Sequence, residues 1–247
     1  MPEAVPVPQI GTSPAEQEAN AAKLNAEAEK ALAEAKVALV DAETRQYEAR
    51  AALARTIETE LKSAQAVEAD KARRASDEYH RVYRFDGEVT ASSVHACMGK
   101  LTEWHRLDPS CTIEVIFSSP GGSIFDGMEL FDWLRDLSAK GHQVITGGLG
   151  MAASMAGILL MAGDHRWIGG ETWVLIHRAA FLTFGSTYEV EDMVQLIRRI
   201  EKRIIDIFVD RSGGKLTAQK VQRNWNRKDW WLDSKQCLEF GLVDEVR

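Results

Sequence analysis

Cysteine is scarce in this chain of 247 residues: there are three, Cys97, Cys111 and Cys237, far apart and with no Cys-x-x-Cys pair. An odd, scattered set argues against a disulfide framework or a cysteine-ligated zinc site and predicts free thiols in a reducing compartment, with the cytoplasm as the expected location. Basic charge is short too. Thirty Lys and Arg against 37 Asp and Glu leave a net charge of −7, whereas a nucleic-acid binder usually carries a basic surface. The opening MPEAVPVPQIGTSP has neither a basic n-region nor an apolar h-region, so no secretory signal is expected. Val144 to Gly163 is free of charge and long enough to span a bilayer. Gly147, Gly148 and Gly150 interrupt it, however, and predict a short strand, a glycine turn and a buried helix instead. No metal-ligand pattern and no cofactor motif is present, so neither is expected.

Glycine and proline are absent from Ala15 to Asp86, where Ala, Glu, Lys, Leu and Gln dominate. These are strong helix formers, and opposite charges recur three or four residues apart. Leu24, Ala28, Ala31, Ala35, Ala38 and Ala42 form an apolar stripe that drifts on through Ala49, Leu53, Ile57, Leu61 and Ala64. The pattern predicts a long coiled-coil-like helix over 15–80, following a disordered 1–14. It serves equally a solvated or self-associating helix and a scaffold or partner-docking arm.

Beyond residue 83 the texture changes. SSVHACMGKLTEWHRL, FDGMELFDWLRDLSAKG and TYEVEDMVQLIRRIEKRIIDIFVDR read as helices, AASMAGILLMAG as a buried one. CTIEVIFSS, HQVITGG and ETWVLIHRAAF read as strands, and two short helical stretches lie around DWWLDSKQCLEFGLVDEV. Strands alternating with helices predict an α/β core with a largely parallel sheet.

Within this core Ser154 is the one hydroxyl in an apolar stretch. At the first turn of a buried helix its neighbours would be free backbone N–H groups, and a serine needs such donors, and a base, to act as a nucleophile. A serine tucked into a tight helix contact fits the stretch as well. The turn in SSPGGSIFDG leaves N–H groups at a strand's carboxyl end, and Gly122 could aim one at an oxyanion. For the base, His165 follows a helix that carries it away from Ser154. His177 ends the strand ETWVLIH, whose roughly seven residues return the chain about 20 Å, to the serine's level. Geometry selects His177.

SSPGG, GMAASMAGILLMAG, VLIH and DWWLDSKQCLEFGLVDEV, in this order and spacing over residues 83–247, resemble the ClpP family of serine peptidases. The resemblance implies a crotonase-like α/β fold and a Ser-His-Asp triad of Ser154, His177 and Asp229. It places the oxyanion donors on the N–H groups of Gly122 and Met155. It further implies peptide or protein substrates and homo-oligomeric rings, heptameric and stacked through the helix Tyr188–Asp210, with no membrane and no nucleic acid. Two departures stand out. RAAFLTFGS replaces the family's Gln-Pro and glycine pair after the histidine, and the long helix replaces the loops that meet an AAA+ ATPase, which leaves that partnership open. Such variants resemble the ClpP-like proteases of tailed phages, implying head maturation in a host cytoplasm.

Two aspartates compete to orient His177. Asp233 has Gln236 three residues on, a capping-box pattern that would occupy its carboxylate. Asp229 has no such local role, and Trp230 and Trp231 after it could shield a buried Asp–His contact from water. Rival readings are a crotonase-fold acyl-CoA enzyme, a serine-lysine peptidase, which has no lysine after Ser154 until Lys202, and a catalytically silent assembly protein.

Overall fold

The computed structural model describes residues 13–226 and 228–247, so most of the segment 1–14 lies outside the described residues. The chain divides between Lys71 and Ala72 into two units. The described residues of the first belong almost wholly to one helix, α1 (Pro14–Arg74), which has 61 residues, none buried, and whose last three fall in the second unit. Its start is built as the local sequence dictates. Ser13 Oγ accepts from the Glu16 N–H at 3.3 Å while Glu16 accepts from the Ser13 N–H at 2.9 Å, and proline at the first helical position loses no hydrogen bond. The helix ends at Arg74, six residues before the expected residue 80.

The second unit alternates strands and helices. In chain order they are β1 (Val82–Asp86), α2 (Ala91–Leu107), β2 (Thr112–Ser119), α3 (Ile124–Ala139), β3 (Gln143–Ala153), α4 (Met155–Leu160), β4 (His165–Ile168) and β5 (Trp173–Ile176). There follow α5 (Thr187–Arg211), α6 (Ala218–Trp225), β6 (Trp230–Leu232), α7 (Ser234–Glu239) and β7 (Glu245–Val246). One sheet runs β1-β2-β3-β4-β7, and β5 adds to β3 and carries β6. Every pairing is parallel except β5 with β6. The core gathers apolar helix faces spaced three or four apart, such as Val94, Cys97, Leu101 and Trp104 of α2.

The centre of the sheet departs from the expected strand, turn and helix. β3 runs straight through the glycines to Ala153, and only Met155–Leu160 are helical, all six buried. Gly147 and Gly148 are sites of close packing, not a turn. A Cβ on Gly147 would collide with the Trp167 ring, and one on Gly148 would stand 3.0 Å from Ile168. Gly150, at φ +70, lies where the pairing of β2 with β3 shifts register, between Phe117 opposite Gly148 and Ser119 opposite Ala152. The shift lets β3 pair first with β4 along Ile145–Gly148 and then with β5 along Met151–Ala153. β4 was not legible as a strand, being four residues long. β5 stops at Ile176, five residues short of the expected Phe181.

Among the described residues no helix is long and apolar enough to cross a membrane. The three cysteines are free.

Candidate active site

Where β3 ends, Ala153 pairs with Leu175, and the Ser154 N–H donates to the Leu175 carbonyl at 2.9 Å. This brings the ends of β3 and β5 level. Ser154 is the N-cap of α4, yet its side chain makes no capping bond. Its Oγ lies 2.7 Å from Nε2 of His177, one residue past β5. The backbone of Ser154 is at φ 55, ψ −122, a conformation a non-glycine residue adopts only at a cost. A sharp strand-to-helix turn thus holds the hydroxyl away from its own helix and on the imidazole.

The loop after β2 closes over that turn. A Cβ on Gly121 would stand 2.6 Å from the Ala153 carbonyl oxygen and 2.9 Å from the Met155 nitrogen, so only glycine fits there. The Val89 N–H donates to the Gly121 carbonyl, and the Ser123 N–H to the Val89 carbonyl, both at 2.8 Å. Between these anchors Gly122 sits at φ +149, and its N–H donates no hydrogen bond among the described residues. Met155 opens α4, where N–H groups lack intrahelical acceptors. Gly122, Ser154, Met155 and His177 line one cavity of about 350 Å³, otherwise walled by Ile124, Ile158, Ile204 and Phe208 among others.

The structure brings four of the five expected site residues to this cavity. Asp229 is not buried behind Trp230 and Trp231 as expected: it is exposed, on the segment before β6, with Trp231 exposed beside it, and it makes no hydrogen bond or ion pair among the described residues. Its register is informative all the same. Leu175 pairs with Trp231 and Ile176 with Trp230; the ladder stops there, one residue short of Asp229 on one strand and of His177 on the other. Asp233 behaves as its spacing predicts: its Oδ1 accepts the Gln236 N–H at 2.8 Å and its own N–H donates to Gln236 Oε1 at 3.1 Å. His165 opens β4 beside Ile145, near the start of β3, and hydrogen-bonds Glu245 at 3.0 Å. Lys202 is exposed and paired with Asp206 at 2.7 Å. Cys237 is buried, which pushes its thiol up to about 12, and burial likewise raises Cys97, so neither supplies a thiolate nucleophile.

One relationship at the site was missed. Arg178, next to His177, grips Glu201 of α5 through Nε at 2.9 Å and Nη2 at 2.7 Å. Glu201 is only 7% exposed, and its carboxylate holds Arg178 above its ordinary value by these hydrogen bonds first and by charge second. The signal was an acid at an apolar position, between Ile197 and Ile204 on the buried face of α5.

A hydroxyl already bonded to an imidazole can lose its proton as it attacks a carbonyl, the chemistry of serine-type endopeptidases. The Clp protease family model matches residues 69–247. Among curated proteins the chain is similar to the ATP-dependent Clp protease proteolytic subunit of Bacteroides fragilis, 30% identical over 161 residues, 64% of this chain and 73% of that one. It is similar to proteolytic subunit 2 of Tropheryma whipplei, 32% identical over 142 residues, 57% and 76% of the two chains. Subunit 1 of Leifsonia xyli subsp. xyli is 30% identical over 169 residues, 68% and 83%. The chain belongs to the Clp protease family and is a serine-type endopeptidase.

Proposed function

We propose that the chain hydrolyses peptide bonds in protein substrates, with Ser154 as nucleophile, His177 as general base and then acid, and Asp229 orienting the imidazole. The observation that carries this reading is the 2.7 Å contact of Ser154 Oγ with His177 Nε2 inside an apolar cavity. Ser154 Oγ attacks the scissile carbonyl carbon as His177 Nε2 takes its proton. The N–H groups of Gly122 and Met155 stabilise the oxyanion. The C–N bond breaks as His177 protonates the leaving amine, and an acyl group remains on Ser154. Water, deprotonated by His177, then releases the carboxylate product and restores the serine. Asp229 supports the imidazole from one residue beyond the end of the β5–β6 ladder, where His177 also stands.

The same reading assigns the 83–247 core a crotonase-like fold and places its sites inside a chamber of heptameric rings stacked through α5. The exposed α1 acts there as a self-associating, coiled-coil-like arm, which suits a protease incorporated into a larger shell such as a phage head. A fluorophosphonate probe tests the chemistry. Labelling mapped to Ser154, and lost in Ser154→Ala, supports the assignment. Labelling at another residue, or none, overturns it.

A further inference from the structure

We infer that α1 pairs antiparallel with α1 of a second copy of this chain. This rests on the reading of α1 as a self-associating arm and adds its partner and direction. Along its 61 residues α1 buries no side chain. Leu24, Leu32, Leu39, Leu53, Ile57 and Leu61 are each more than half exposed. A helix of about 90 Å that buries no side chain relies on its own hydrogen bonds and on exposed ion pairs such as Lys62 with Glu58, whereas helices in proteins draw most of their stability from a packed apolar face. Leu32, Leu39 and Leu53 fall on one heptad column, seven and fourteen residues apart, each four residues after an alanine at 28, 35 or 49. Positions three and four apart face the same way. Small and large side chains thus alternate on one side, as an interdigitating seam requires.

Charge selects the direction. Residues 14–44 carry seven acidic and three basic side chains, a balance of −4, while residues 45–74 carry five acidic and seven basic, a balance of +2. A parallel pair lays like half on like half and every charge level with its own copy. An antiparallel pair lays the acidic half on the basic half. Centred on Ala42, it brings Glu29 level with Arg55, Glu34 with Arg50 and Lys36 with Glu48 of the second copy. Two like-signed levels remain, Glu16 with Glu68 and Asp41 with Glu43. Opposite signs across a helix seam set both partner and orientation. The contact is two-fold symmetric, so it joins chains in twos, a geometry separate from the cyclic contacts that close a ring.

Cysteine cross-linking of the full chain tests this. Ala35→Cys and Ala49→Cys chains, mixed and oxidised, are expected to give at least tenfold more disulfide-linked dimer than either chain alone, with the wild-type chain as the blank for Cys111. The double variant Leu32→Glu, Leu39→Glu, assayed by light scattering, is expected to lose the arm-mediated species while fluorophosphonate labelling of Ser154 is unchanged. Dimer formed as readily by Ala35→Cys alone overturns the antiparallel direction and leaves self-association standing. No cross-link in any combination, with a mass unchanged by the double variant, overturns the pairing and the reading of α1 together. Neither result touches the peptidase assignment, which the labelling reports separately.

Discussion

The Arg178 guanidinium and the Glu201 carboxylate meet through two parallel hydrogen bonds of 2.9 and 2.7 Å, one residue after His177. The pair ties the segment following β5 to the middle of α5. Its geometry is the fork that arginine alone presents, so lysine is not an equivalent. Glu201→Gln and Arg178→Lys are each expected to lower kcat about tenfold with a smaller change in KM. Arg178 is half exposed and can find water, so stability should fall by only about 1–2 kcal/mol. Steady-state kinetics and thermal melts of both variants check this. An unchanged kcat would show that the pair does not hold His177 in place.

Ser154 is expected to be worth several orders of magnitude in rate, so Ser154→Ala should be inactive and folded. The φ of 55° adds a second expectation. Glycine relieves the backbone strain that alanine retains, so Ser154→Gly should be more stable than Ser154→Ala by about 1 kcal/mol and melt at a higher temperature. Equal melting temperatures would remove strain from the account.

Asp229→Asn is expected to reduce the rate by orders of magnitude with little loss of stability, because the asparagine cannot stabilise the imidazolium. Asp233→Ala should cost about 1 kcal/mol through the lost cap of α7 and keep most of the activity. Hydrolysis and melting of both variants decide between the two aspartates.

Acid stability depends on Asp244. Burial raises its carboxyl, but the hydrogen bonds and charge of Arg166 outweigh that and hold it below the ordinary value. The pair forms at 2.7 Å with the Arg166 side chain only 8% exposed. A depressed folded value means that the stabilisation is complete above the unfolded carboxylate range, near pH 4, and fades as pH falls below it. The melting-temperature gap between wild type and Asp244→Asn is therefore expected to be wide at pH 6 and to narrow below pH 4. A gap that widens in acid would reverse the sign of this argument.

Much of the site was legible because its signals are short. Pro120, Gly121 and Gly122 announce a turn, a lone serine among alanines marks Ser154, and the run ETWVLIH, although only Trp173–Ile176 of it is strand, returns His177 to the same level. Asp233 and Gln236 spell out a cap within four residues. The extent of β3 was not legible: Gly147 and Gly148 read as a turn, and only the Trp167 ring and Ile168 packed against them explain why glycine continues the strand. Glu201 is a similar case. Its partner lies 23 residues away, and nothing near it in the sequence names Arg178.

The sequence by itself determined the long α1, through helix propensity and the absence of glycine and proline, and the alternation of strand and helix that makes the core α/β. Local preference and apolar periodicity act over a few residues, so they survive without knowledge of the fold. Only the tertiary structure decided that β3 changes partner from β4 to β5, that the Ser154 N–H bonds the Leu175 carbonyl, and that the hydroxyl thereby reaches His177. Those outcomes depend on sheet register and on which side chains occupy the space beside a glycine, and both are set by contacts between segments distant in the chain.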